Sequence, residues 1–410
     1  MTRIAADDAV IVSALRSPIG RAHKGSMTAV RPDDLAAQVV EAALALVPEL
    51  DPTHLDDLMM GCGQPAGNSG FNIGRVVSVL LGLDALPATT VHRYCASSLQ
   101  TTRMAFHAIK AGEGHAFVSA GVETVSQAGH GTADSWPATK NSKFDSAMER
   151  TSQLASGQGP WTDPRRSGEV PDVYIGMGQT AENVAQHLSI SRAEQDEWAV
   201  LSQNRAEAAV DADFFSDEIT PITVPGGRTV EHDDSPRRGT TLTKVSQLQP
   251  AFRANGTVTA GNSCPLNDGA AALVIVSGAK AQQLGLIPLA RVVATGVSGL
   301  SPEIMGLGPV EASRRALDLA GMTMDDMDLV EINEAFAAQV IGCQRQLSID
   351  AEKLNVNGGA IALGHPFGMT GARITCTLLN GLRKTDHQFG LEAMCTAGGQ
   401  GMAMVLERLS

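Results

Sequence analysis

Basic residues are scarce: 31 Lys and Arg stand against 44 Asp and Glu, for a formal net charge of −13. That balance argues against a surface built for nucleic acid or for an anionic membrane, since both need a basic excess. A polyanionic ligand would have to find a local basic patch. Aromatic residues make up only 4% and charged residues 18%, whereas 42 glycines and a 43% hydrophobic fraction are present. This is the texture of a compact α/β protein with close backbone packing, far from a disordered chain. No stretch approaches the ~20 apolar residues of a membrane helix, and MTRIAADDAVIV places no basic segment ahead of an apolar run, so a soluble, uncleaved chain is expected. Six cysteines (Cys62, Cys95, Cys264, Cys343, Cys376, Cys395) include no C-x-x-C pair. A metal ribbon or redox dithiol is therefore disfavoured, and a reducing cytoplasm fits. No aspartate cluster suggests a metal site and no G-x-G-x-x-G follows the first strand pattern, so neither a metal nor a nicotinamide cofactor is expected.

A length of 410 residues exceeds the ~250–300 residues at which single cores stop growing, so at least two packed units are expected. Short Val- and Ile-rich runs alternate with longer helical patterns, as in DAVIVSALRSPIG, PDDLAAQVVEAALALV and LDDLMMGCG. That alternation predicts βαβ units around a largely buried sheet, with Asp33 or Asp34 capping the first helix. A second helix is expected from just after Cys95 to about Lys110, stopped by Gly112 and Gly114. From about 127 to 253 the texture becomes polar and turn-rich, with Trp136, Trp161, SGQGP and DDSPRRGTTL. One helical stretch there breaks near Ser191, where S-R-A-E reads as a capping box. Such an insertion suits a lid or binding loop. Regular texture resumes at TVTAGNSCPLNDGAAALVIVSG, and the second half resembles the first in its order of strand, small-residue turn and helix. An internal duplication of one α/β unit is the reading.

Four turns each set a reactive or polar side chain among small residues: Cys95 in HRYCASS, Asn333 and Glu334 in EINEAF, His365 in GHPFG and Cys395 in MCTAGGQG. A strand-to-helix turn can present a side chain and keep backbone N–H groups free, as a nucleophile and its oxyanion hole require. Cys95 at a helix start would also gain thiolate character from the helix dipole. Taken singly, each has a blander reading. A buried cysteine is more often an inert small hydrophobe, and a histidine beside proline is more often structural. Cys62, Cys343 and Cys376, in apolar patterns, are assigned to that class. Joint occurrence at four turns favours chemistry for the others.

These stretches, with RSPIG, GMGQTAENVA, QPAFRANGTVTAGN, NDGAAALV and NVNGGAIALGHPFGMTGAR, resemble the thiolase family over nearly the whole chain. The resemblance implies a thiolase fold: a duplicated five-layer α-β-α-β-α architecture with an inserted loop domain. It divides the chain into an N-terminal half (1–126, completed by about 254–280), the loop domain over the CoA site (127–253) and a C-terminal half (281–410). It implies Cys95 as the acyl-accepting nucleophile, His365 as its base and Cys395 as the second acid/base. Asn333 would hold a water that forms one oxyanion hole with His365; the N–H groups of Cys95 and Ala397 would form the other. Arg237 falls where the CoA nucleotide is held, Phe252, Ala260 and Cys264 in the pantetheine slot, and Met177, Met305 and Phe336 near the acyl pocket. Arg238 and Lys244, exposed beside Arg237, are more simply solvated surface.

The chemistry is coherent without the family. Cleaving the α–β carbon bond of a 3-ketoacyl thioester needs a soft nucleophile, a proton source for the departing carbanion and a stabiliser for its oxygen. The resemblance implies ping-pong transfer between CoA and acetyl-CoA, in degradation of 3-ketoacyl-CoA or the reverse condensation, with degradation preferred. CoA thioesters are the partners, no cofactor is held permanently, and a homodimer or homotetramer is expected. Ser98 stands where the family commonly has glycine, which would strain a backbone of positive φ but not a helical turn. Cys264 replaces a frequent serine, and Ala397 a more usual glycine. A ketoacyl synthase would use two histidines rather than Cys395. A non-catalytic CoA-binding or scaffold subunit would be free to lose Cys95, His365 or Cys395, and all three are present.

Overall fold

The computed structural model describes residues 4–130 and 139–410; Trp136 of the turn-rich region lies outside them. Among the described residues, nine strands of four or more residues form the frame. They are β1 (Ala9–Arg16), β2 (Asp57–Cys62), β3 (Ala88–Val91), β4 (Ala116–Thr124), β5 (Asn267–Ser277), β6 (Ala290–Gly299), β7 (Leu329–Ile332), β8 (Phe389–Thr396) and β9 (Gln400–Arg408). The longer helices are α1 (Pro32–Ala45), α2 (Ile73–Leu80), α3 (Ser97–Ala111), α4 (Asp145–Ala155), α5 (Met177–His187), α6 (Arg192–Asp211), α7 (Gly308–Ala320), α8 (Ala337–Leu347) and α9 (Thr370–Lys384).

The strands run in the order β7-β8-β9-β6-β1-β5-β4-β2-β3, and that order contains a repeat. In the first half β1, β5, β4, β2 and β3 follow one another, antiparallel at β1/β5 and β5/β4 and parallel at β4/β2 and β2/β3. In the second half β6, β9, β8 and β7 take the same places with the same directions. The fifth place is held by a single parallel bridge between Val330 and Leu354. Each half thus repeats one topology. The halves join where Val10 and Ile11 of β1 pair with Arg291 and Ala290 of β6, so two sheets read as one.

Period-two alternation sorts the layers. On β5, Ala271, Leu273 and Ile275 face a central core, while Ala270, Ala272, Val274 and Val276 face a second core under α1 and α2. On β9, Met402, Met404 and Leu406 face the centre, while Ala403 and Val405 face a third core under α7 and α8. Between the sheets lie α3 and α9, buried along most of their length. These two approach so closely that a Cβ on Gly371 would stand 2.3 Å from the Leu99 nitrogen. The five layers are therefore helix, sheet, helix, sheet, helix. Each fully buried Leu, Ile or Val contributes ~1.5–3 kcal/mol relative to exposure.

Local signals explain the helix ends. Gly112 adopts the left-handed conformation that stops α3, and Ser191 with Glu194 forms a full capping box on α6. The first helix differs from expectation: Arg31 occupies the cap, Pro32 the first position, and Asp33 and Asp34 the first turn. Proline at the first position needs no N–H partner, and the acids favour the positive helix end without capping it. The turn-rich stretch that holds Glu218 and Asp233 is tied to the sheet by buried Arg16 at the end of β1. Its guanidinium meets Glu218 at 2.6 Å and Asp233 at 2.8 Å.

Candidate active site

The reactive turns gather at the carboxyl ends of the parallel strands, and the repeat places them in equivalent positions. Cys95 lies between β3 and α3, and His365 lies between the Leu354 bridge and α9. Glu123 is the penultimate residue of β4, as Cys395 is of β8. Small residues hold the two central helices together here: the Ser98 hydroxyl accepts the Ala372 N–H at 2.9 Å. Ser98 lies within the helical turn of α3 and outside the positive-φ region, so it carries no backbone strain.

Cys95 is half-buried as a residue, and its sulfur faces two backbone donors, its own N–H and that of Ala397. Enclosure of the thiol and the nearby Glu123 carboxylate nevertheless push its pKa up to about 12. This corrects the expectation of a thiolate set by the helix start. Cys95 lies before the cap residue Ala96, and two N–H groups do not outweigh desolvation. The resting group is a neutral thiol.

The Ala397 N–H belongs to a turn in which Gly398 and Gly399 take φ of 75° and 79°, a conformation that suits glycine. Arg93 reaches across from the Cys95 turn and donates to Gln400 Oε1 at 2.9 Å. The Tyr94 ring lies 3.8 Å from where a Cβ on Gly398 would stand. The Cys95 and Ala397 turns are thereby held in one frame.

His365 is buried, and Asn333 Nδ2 lies 3.3 Å from its Nε2. Its Nδ1 lies 2.7 Å from Thr370 Oγ1. Burial, with the Arg373 guanidinium adding to it, pulls its pKa down to about 3, so the ring is neutral. Asn333 Oδ1 is buried without a hydrogen-bond partner among the described residues, an acceptor open to a small polar group. Its neighbour Glu334 is saturated instead, accepting from Trp198, Ser202, Asn355 and the Ile361 N–H. Glu334 is a structural anchor.

Cys395 sits in an apolar cluster with Met177, Ala181, Val258, Met305, Ala335 and Phe336. Burial raises its thiol well above the ordinary value, and neighbouring Cys95 adds to the shift. Met177, Met305 and Phe336 are thus brought together beside it. Phe252 stacks edge-on against Phe336 at 5.9 Å, and the Cys264 N–H donates to Ala335 O at 3.1 Å. Cys264 is raised by burial and by proximity to Cys95. Ala260 is exposed on the same segment. Arg237 is exposed, its backbone N–H donating to Gln203 Oε1 at 2.9 Å. By contrast Arg238 is engaged by Asp211 and Glu207, and Lys244 donates to Gly239 O. Cys62, Cys343 and Cys376 are buried in core positions.

Sequence reasoning passed over Glu123, Arg93, Gln400 and Thr370. Glu123 accepts the N–H groups of Gly63 at 2.8 Å and Gly368 at 2.9 Å, joining the ends of the two halves. Burial lifts its pKa to about 7 against those hydrogen bonds. Its signal was a lone acid in the apolar run AFVSAGVETVS.

The thiolase N-terminal domain model matches residues 9–279 and the thiolase C-terminal domain model residues 286–408. The chain belongs to the thiolase family. It is 42% identical over 405 residues to the beta-ketoadipyl-CoA thiolase of Pseudomonas aeruginosa, covering 97% of this chain and 98% of the relative. It is 42% identical over 411 residues to the acetyl-CoA acetyltransferase of Cupriavidus necator, covering 98% and 99%. The crystal structure of human mitochondrial 3-ketoacyl-CoA thiolase in complex with CoA superposes with a TM-score of 0.84 at 35% identity, covering 100% of each chain. This thiolase is an acyltransferase acting between CoA and acetyl-CoA. Among its described residues no helix is long and apolar enough to cross a membrane.

Proposed function

We propose that Cys95, His365, Asn333 and Cys395 carry a two-step thiolysis of 3-ketoacyl-CoA. In the first step the Cys95 sulfur attacks the 3-keto carbon as its proton passes to His365, and the N–H groups of Cys95 and Ala397 hold the resulting oxyanion. The α–β carbon bond then breaks. The acyl group stays on Cys95 as a thioester, and the departing acetyl-CoA carbanion takes a proton from Cys395. The enolate oxygen faces His365 and the group held by Asn333. In the second step the CoA thiol gives its proton to Cys395, its sulfur attacks the acyl-enzyme, and acyl-CoA leaves as the Cys95 sulfur recovers the proton from His365. Over the cycle the α–β carbon bond and the CoA S–H bond are exchanged for the thioester C–S bond of acyl-CoA and a C–H bond of acetyl-CoA. The carrying observation is that the Ala397 N–H and Cys95 meet while Cys395 lies close by.

The acyl wall of Met177, Met305 and Phe336 carries no charge, which supports uncharged 3-ketoacyl chains and a place in fatty-acid or related degradation, with methionine adapting to chain shape. Arg237, with no side-chain partner among the described residues, supports the nucleotide of CoA, and Phe252, Ala260 and Cys264 its pantetheine arm; Arg237 and Phe252 belong to the loop region 127–253 that would cover the site. Exposed Phe71, Val79 and Leu80 beside the edge strand β3 support a homodimer or homotetramer. Six free cysteines suit a reducing cytoplasm. The test is thiolysis with free CoA and 3-ketoacyl-CoAs from acetoacetyl to long chain, beside 3-oxoadipyl-CoA. Cys95-dependent turnover that favours uncharged chains is expected. A preference for the dicarboxylate would overturn the chain assignment, and absence of any turnover would favour a binding or scaffold role.

A further inference from the structure

We propose that Thr370 is a positioning residue that fixes the tautomer of His365, leaving Nε2 without a proton and ready to receive one from Cys95. The inference rests on His365 acting as the base. Its argument is an accounting of protons in a buried chain of contacts. Thr370 Oγ1 lies 2.8 Å from the carbonyl oxygen of Pro366, one turn earlier. A carbonyl can only accept, so the hydroxyl proton is committed there. The same Oγ1 lies 2.7 Å from His365 Nδ1. With its proton spent, the oxygen can offer only a lone pair, and Nδ1 must be the N–H donor. A neutral imidazole has one such proton, so Nε2 carries the lone pair. Asn333 Nδ2 lies 3.3 Å from Nε2 and 3.5 Å from Nδ1, over the ring face, so the tautomer is set by Thr370 and not by Asn333. Both Thr370 and His365 are buried, at 0% and 1% exposure, so bulk water does not offer Nδ1 an alternative partner.

The identity of the orienting group matters as well. A carboxylate at Nδ1 would stabilise an imidazolium and favour a standing thiolate–imidazolium pair. A hydroxyl orients the ring without supplying a charge. The proton therefore moves from Cys95 Sγ to Nε2 as the sulfur–carbon bond forms, in keeping with a ring neutral down to about 3 and a thiol protonated up to about 12.

The test combines kinetics with nitrogen NMR on histidine-labelled protein, using His365→Asn to assign the ring. In the unmutated protein Nδ1 is expected to be protonated and Nε2 bare. Thr370→Val is expected to lower kcat about tenfold or more, leave KM within about twofold and mix the tautomers, while Thr370→Ser restores most of the rate. Should the valine variant fail to fold, the unmutated tautomer and the serine variant decide alone. A protonated Nε2 in the unmutated protein, a serine variant that has lost the rate, or a valine variant within about threefold of full kcat would overturn the proposal. Turnover that survives Cys95→Ala would instead sink the catalytic reading beneath it, whatever the NMR result.

Discussion

Iodoacetamide alkylation of Cys95 in the substrate-free enzyme is expected to rise about tenfold for each pH unit between 6 and 9, without levelling off. The thiol pKa is pushed up to about 12 by enclosure and by Glu123, against an ordinary value of 9.0. At pH 7 roughly one molecule in 10⁵ then carries the thiolate, about a thousandfold fewer than an ordinary cysteine would. The His365 ring, held neutral down to about 3, does not trade its lone pair for a standing ion pair. Inactivation is followed at several pH values, with intact mass and peptide mapping to count the modification at Cys95. Acylation by a substrate should behave differently, because in the proposed mechanism His365 takes the proton during attack: its rate should change little between pH 6 and 9. A plateau in the alkylation profile with a midpoint below pH 8 would refute the neutral-pair reasoning, since it would reveal a preformed thiolate.

Two further outcomes test the frame around the site. Glu334→Gln keeps the side-chain volume but turns an amide NH2 toward donors from Trp198, Ser202, Asn355 and Ile361; a loss of about 2–4 kcal/mol in unfolding free energy is expected by denaturant titration. Arg93→Met removes the hydrogen bond to Gln400 and should lower kcat about tenfold with KM little changed, by letting the Ala397 turn drift from Cys95; an unchanged kcat would show that the turn holds itself.

What could be read from the sequence was what adjacent residues decide. The Ser191–Glu194 capping box and the Gly112 stop are local signals, and both stand in the structure. The reading of Cys95, His365, Asn333 and Cys395 as chemical turns rested on their small neighbours together with their joint occurrence at four turns. The repeat was legible merely as texture, because the two halves share strand order and direction while their equivalent positions differ in chemistry: Cys95 answers to His365, and Glu123 to Cys395. The Arg93–Gln400 contact spans 307 positions of sequence, and Glu123 joins glycines from both halves; no local pattern encodes such pairs. The charge state of Cys95 was misjudged for a related reason. A helix start is visible in sequence, whereas the burial that outweighs it is assembled from both halves.

The central claim, that Cys95 takes the acyl group, is tested most directly by intact-protein mass spectrometry after brief mixing with acetyl-CoA. The unmutated chain should gain the mass of one acetyl group, mapped to Cys95 and discharged by added CoA, and Cys95→Ala should gain none. An adduct that persists in Cys95→Ala and is still discharged by CoA would contradict the account.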